Sequence, residues 1–197
     1  MLSSDQLRSR FNQDKWKSGG AETPCGVGST IDESRIVSKL IKDIITEWRD
    51  VKTVNDAGCG DMNWVSMLRP FFIANGIDYL GYDIRPWSQA YPMPFEELDI
   101  INGVMRECDV IICRDVLFHF PNEYVLQAIA NFKKAGRGLL ATTTPSEMGP
   151  VDNSKRIVEV GGFAPIDLEG EPFCLGEPMM MLMEHKWRRC VGFWSLV

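Results

Sequence analysis

The segment Asp56-Ala57-Gly58-Cys59-Gly60 sets a carboxylate and two glycines at the end of an apolar run. Glycine leaves main chain open to a ligand that a Cβ would hold off. In an open parallel sheet, ligands bind beyond the carboxyl ends of the strands, where the strand order reverses. Asp83 ends the next such run, Tyr79-Leu80-Gly81-Tyr82-Asp83. A carboxylate at a strand tip can accept both hydroxyls of a ribose; the plain alternative is a solvated turn acid. A third acid lies in Leu98-Asp99-Ile100. A fourth group follows the apolar run 109–113, as Arg114, Asp115 and His119. Either His119 takes a proton near neutral pH, with Asp115 as a second candidate base, or it is a packing histidine at a helix entrance.

These residues need a scaffold, and the hydrophobic pattern supplies one. A short helix is expected near residues 3–12. Thr30-Ile31-Asp32-Glu33 fits a capping box. It opens a helix with one apolar stripe of Ile36, Val37, Leu40, Ile41, Ile44, Ile45 and Trp48, ending near Asp50. Strands are expected over 51–56, 78–83, 95–99, 109–113 and 138–143. A short helix over 63–68 should stop at Pro70, and another helix covers 122–134. After its first residue the run 109–113 is apolar throughout, as in a strand buried on both faces. This alternation predicts an α/β, Rossmann-like, mostly parallel seven-stranded sheet with helices on both faces. Residues 145–178 read as a long loop. The apolar runs 179–184 and 190–196 have no helix between them, so they form an antiparallel hairpin at the sheet edge. The methionine run 179–183 is expected to be an interior strand.

Composition excludes other classes. The chain has 197 residues, 45% of them hydrophobic, and a net charge of −6. That mixture is ordinary for a globular protein and not for a disordered one. No apolar run is long enough to span a membrane. The acidic balance gives no bulk attraction for nucleic acid, and the one dense basic run, Lys186-Trp187-Arg188-Arg189, is expected to turn the hairpin in water. Nucleic acid is therefore not an expected partner. Six cysteines lack the C-x-x-C spacing of a zinc or redox site. With no signal core at the start, they are read as reduced thiols of a cytoplasmic protein. No metal site, Walker loop or Gly-x-Ser-x-Gly nucleophile turn is present.

The strand, the Asp-x-Gly-x-Gly turn and the helix after it resemble the first motif of class I S-adenosylmethionine-dependent methyltransferases. Asn63 stands where a dinucleotide fingerprint has its third glycine, which disfavours a nicotinamide enzyme. Asp83 resembles the ribose-binding acid of the same family, and Leu98-Asp99-Ile100 its adenine-contacting segment. Cys108 to Pro121 resembles its fourth strand and following loop. Trp16, Gly19-Gly20-Ala21-Glu22-Thr23, Gly26, Gly28-Ser29-Thr30 and Cys59-Gly60-Asp61-Met62-Asn63-Trp64 resemble a small phage and bacterial subgroup.

The resemblance implies one methyltransferase domain over 1–197, with 1–30 a leader folded over the donor pocket and 31–197 the core. It implies S-adenosyl-L-methionine as cofactor. Gly58, Cys59 and Gly60 would lie against its methionine portion, and Asp56 would orient that portion. Asp83 with Ile84 would hold the ribose, and Asp99 with Ile100 would frame adenine; Arg114 completes the donor-binding set. His119 and Asp115 would be the catalytic pair. The acceptor is expected to be a small molecule or a sugar, walled by residues 13–30 and 145–178. A non-catalytic nucleoside-binding module of the same fold is the alternative. Nothing in the sequence sets the oligomeric state.

Overall fold

The computed structural model describes residues 1–11, 22–48, 50–87, 93–145, 149, 151–184 and 189–197. Trp16, Gly19, Gly20, Ala21, His185 and Lys186 to Arg188 lie outside the described residues, and so does half of the expected wall over 13–30.

Seven strands form one sheet: β1 (Thr53–Ala57), β2 (Asp78–Asp83), β3 (Phe95–Glu97), β4 (Cys108–Cys113), β5 (Gly136–Thr143), β6 (Met180–Glu184) and β7 (Arg189–Ser195). Their order is β3-β2-β1-β4-β5-β7-β6. The first five are parallel to their neighbours, while β7 runs antiparallel to β5 and β6 antiparallel to β7. From β1 the chain moves outward through β2 and β3, then returns to place β4 on the other side of β1. The reversal lies between β1 and β4, which puts a crevice at their carboxyl ends.

The central strands are apolar on both faces because each face is covered by helix. Ile111, Cys113, Leu139 and Ala141 pack in one core with Val125, Ala128, Ile129 and Phe132 of α4 (Asn122–Ala135). Their sequence neighbours Val110, Ile112 and Leu140 pack in the other with Val37, Leu40, Ile41 and Ile44 of α2 (Arg35–Glu47). The period of two along a strand makes adjacent residues serve opposite cores. The short helix α1 (Ser4–Arg10) is opened by a capping box between Ser3 and Gln6 and buries Leu7 in the α4 core.

Several expectations need correction. The Thr30–Glu33 capping box does not form: the Thr30 hydroxyl donates back to the Val27 carbonyl, and α2 begins only at Arg35. Ile36, in the first turn of α2, is 49% exposed and outside the buried stripe. Pro70 does not stop a helix. A 3-10 turn over Val65–Leu68 runs into α3 (Arg69–Asn75), where the proline sits in the first turn and forfeits no intrahelical bond. Asp99 lies beyond β3, which ends at Glu97. The methionine run is the outer strand of the sheet, with Met181 and Met183 exposed while Met180 and Leu182 pack inward.

Candidate active site

The turn after β1 is tight. Gly58 N–H and Cys59 N–H both donate to the Tyr82 carbonyl, at 2.8 and 3.0 Å. Gly58 and Gly60 have φ of 85° and 58°. A Cβ on Gly58 would stand 2.5 Å from Val116 Cγ2, so the residue must be glycine on both conformational and steric grounds. Gly60 N–H donates to Asp83 Oδ2 at 3.0 Å, which ties the tip of β2 to the glycine turn. Asp83 Oδ1 accepts from Arg85 N–H at 3.1 Å. Burial raises the Asp83 acid above its ordinary value, against the pull of these donors.

Asp56 lies under the turn and is fully enclosed. Tyr79 Oη donates to its Oδ2 at 2.9 Å. Burial pushes the Asp56 acid up to about 7, and the nearby Asp83 adds to the rise, while Tyr79 and Arg114 oppose it. Asp99 is differently placed. Its Oδ1 accepts from the Ile101 and Asn102 amides, and its Oδ2 from Ser4 Oγ and Asn102 Nδ2. Four donors saturate a carboxylate, so Asp99 clasps α1 and its own loop.

Past β4, four charges interlock. Arg114 Nη2 lies 2.8 Å from Glu184 Oε1, and Arg189 Nε lies 2.7 Å from Glu184 Oε2. Arg189 Nη2 lies 2.9 Å from Asp115 Oδ2. Thr142 Oγ1 donates to Asp115 Oδ1. Arg114 Nη1 donates to the Gly28 carbonyl at 2.7 Å, and its guanidinium lies over the Trp64 ring. Arg189 was expected in water; it is instead largely buried, because hairpin strand β7 carries it inward to two carboxylates.

His119 Nδ1 bonds the Gly162 carbonyl. A carbonyl only accepts, so Nδ1 carries the proton and the basic lone pair is on Nε2. Burial pushes the imidazolium down to about 4, with Asp115 opposing. Burial thus favours the neutral imidazole, which keeps the form able to accept a proton.

One cavity of about 480 Å³ joins these groups at the carboxyl ends of β1, β2 and β4. Asp56, Gly58, Cys59, Gly60, Asp83, Ile84, Asp99, Ile100, Arg114, Asp115 and His119 all line it. Among the described residues, no group of histidine, cysteine and acid side chains could hold a metal ion, and no helix is long and apolar enough to cross a membrane.

No protein-family model matches this sequence, and no curated protein matches it either. Solved structures do match. Magnesium protoporphyrin IX methyltransferase from Synechocystis PCC 6803, solved with bound S-adenosylmethionine, superposes with a TM-score of 0.64 at 18% identity, covering 98% of this chain and 96% of that one. The N-methyltransferase NodS from Bradyrhizobium japonicum WM9, in complex with S-adenosyl-L-homocysteine, gives 0.58 at 13% identity, over 98% and 97%. CalO1, a methyltransferase in calicheamicin biosynthesis, gives 0.62 at 13% identity, over 98% and 67%.

This chain has the class I methyltransferase fold.

Within that methyltransferase fold, the cavity takes walls from Phe11, which the sequence had not named, and from single residues of the 13–30 and 145–178 stretches. Phe11 comes from the residue after α1, and Phe163 from the long loop. Cys25 to Ser29 form a strap across the glycine turn. Asn63 Nδ2 donates to Glu22 Oε1 at 2.7 Å and to the Ser29 carbonyl at 3.1 Å, and Asp61 N–H donates to Cys25 Sγ. The missing third glycine therefore has a structural use, since its position supplies the amide that fastens the strap. A polar side chain at a dinucleotide-glycine position was the available signal. For Phe163 the signal reached only its loop, 145–178, and not the residue.

Proposed function

We propose that the protein transfers the methyl group of S-adenosylmethionine to a small-molecule acceptor. What supports this most is the convergence of the glycine turn, Asp56 and Asp83 on one cavity at the strand-order reversal of a methyltransferase fold. The cavity suits such a nucleoside. Gly58 and Gly60 line it as bare main chain, held to glycine by Val116 and Cys25 packed against them, and the donor's cationic amino group matches the enclosed Asp56. Asp83 has its two oxygens aligned by amides and retains lone pairs for a diol. Ile84 and Ile100 offer apolar walls for a base, and Asp99 shapes that end through the loop it clasps.

When bound, the sulfonium supplies an activated methyl carbon. The chain's own part is alignment and exclusion of water, which can contribute several kcal/mol (about 7 at the effective molarities of well-oriented reactions). The strap at Gly26 to Ser29 and the Arg114–Glu184–Arg189–Asp115 cluster close the cavity over the glycine turn. His119 faces the same space as a neutral imidazole.

Calorimetry with S-adenosylmethionine tests the reading. The wild type should bind, and Asp83→Ala should weaken binding by about a hundredfold, as expected when a diol loses its charged acceptor. Equal affinity in the two proteins would contradict the assignment.

A further inference from the structure

Beside the donor residues, the cavity has a second wall with a different character. Phe118 and Phe163 meet edge to face with centroids 5.1 Å apart, and Phe118 meets His119 in the same way at 4.4 Å. The three rings line the cavity together. Phe163 is 66% exposed, although Phe118 beneath it is buried. The loop that carries Phe163 is fastened in place. Gly161 N–H donates to the His119 carbonyl, Ala164 N–H to the Phe118 carbonyl, and His119 Nδ1–H to the Gly162 carbonyl. So large an apolar face, held rigidly at a cavity mouth, is suited to an apolar partner.

Among the described residues, most polar side chains at this end are engaged by one another, although Arg114 Nε has no hydrogen-bond partner. Asp115 is bound by Arg189 and Thr142, and Arg114 by Glu184 and Gly28. A sugar needs several unspent donors and acceptors around its ring, because a buried hydroxyl without a partner is costly. The rings need only a planar apolar face.

Resting on the donor reading above, we propose that the methyl acceptor is a planar aromatic molecule bearing a ring hydroxyl, seated against Phe163 and Phe118. The step balances without a metal or a redox partner. The oxygen's electron pair forms the new O–CH3 bond, and the S–CH3 pair returns to sulfur, leaving a neutral thioether. The hydroxyl proton leaves to water. A ring hydroxyl ionises near pH 10, as tyrosine does, so it does not require a strong base. A neutral, weakly basic His119 suits that acceptor and would not suit an aliphatic hydroxyl, which ionises only at the far higher pH typical of water itself.

The test uses the full chain with umbelliferone, a planar phenol, and methyl glucoside, a ring of aliphatic hydroxyls. Each is titrated with and without saturating S-adenosylhomocysteine, and the affinity for S-adenosylhomocysteine is measured separately. Umbelliferone should bind and methyl glucoside should not. Phe163→Ala should weaken umbelliferone about tenfold, the effect of losing one ring contact, and Phe163→Tyr should restore it. The affinity for S-adenosylhomocysteine should stay within twofold in both variants, which also shows that they are folded. Preference for methyl glucoside, or umbelliferone binding that ignores Phe163, would overturn the proposal. Failure of S-adenosylhomocysteine to bind the wild type would overturn the donor reading instead.

Discussion

Asp56 and His119 are both enclosed, and burial acts on them in opposite senses. It disfavours whichever form is charged, so the acid is raised to about 7 and the imidazolium is lowered to about 4. The raised acid contributes stability fully below its unfolded value near 3.8, and that contribution is lost as pH rises through 7. The depressed histidine contributes stability above its unfolded value near 6.5, and that contribution is lost as pH falls toward 4. Over pH 4–7 the two offset each other. Asp56→Asn removes only the first, so its stability should climb with pH where the wild type stays nearly flat. The gap between variant and wild type should widen by about 2 to 4 kcal/mol from pH 4.5 to 7.5. Urea unfolding at those two pH values measures it, and a constant gap would show that Asp56 is charged throughout.

Above the residue, two elements close the cavity, and each hangs on a few side chains. The strap from Glu22 to Ile31 is held by Asn63 and by the Ile31 amide, which donates to Glu22 Oε1. Asn63→Ala should leave the half-buried Ser29 carbonyl short of a donor, costing about 1 kcal/mol, and frees the exposed Glu22 carboxylate from Asn63. Limited proteolysis should then cut within the strap much faster than in the wild type, with the sheet core intact. The β6–β7 hairpin is held differently. Glu184 accepts from two buried guanidiniums, and Glu184→Ala leaves Arg114 without its nearest carboxylate and both guanidiniums sharing Asp115 alone in low dielectric. Such a loss costs about 3 to 5 kcal/mol. Arg189→Met combined with Glu184→Ala should recover part of it in a double-mutant cycle, because one of the two guanidiniums left to share Asp115 goes too.

The bounds of β2 and the apolar core of β4 were readable from pattern alone, because a strand buried on both faces leaves an uninterrupted apolar run. Pro70 and Thr30 were misread for a shared reason. Both residues suit a helix start, but which one starts depends on where tertiary contacts carry the chain. Thr30 bonds backward into the strap, and Pro70 follows a 3-10 turn that the pattern could not distinguish from the helix itself. The methionine run was apolar enough for an interior strand; its place at the edge depends on how many strands lie beyond it.

At the scale of the whole molecule, the crevice proposed to hold the donor joins both halves of the sheet. Donor binding should therefore stabilise the protein globally. At a hundred times its dissociation constant a ligand adds about 2.7 kcal/mol. For a chain of this size that raises Tm by about 5 to 10 °C. Thermal unfolding with and without S-adenosylhomocysteine should show the rise. Asp83→Ala should abolish it, while Phe163→Ala should leave it unchanged.

Local features were legible in the chain itself: the strand sequence, the acid-glycine turn and the acids at the strand tips. Each depends on neighbouring residues and on the steric demands of one backbone turn. Tertiary structure decided the rest. It brought Glu184 to Arg114 across 70 positions and Gly162 to His119 across 43. It also turned a basic run's last arginine inward and set two protonation states apart from their ordinary values. Those properties arise from burial and from charges distant in sequence, and neither exists until the sheet and its loops have closed around the cavity.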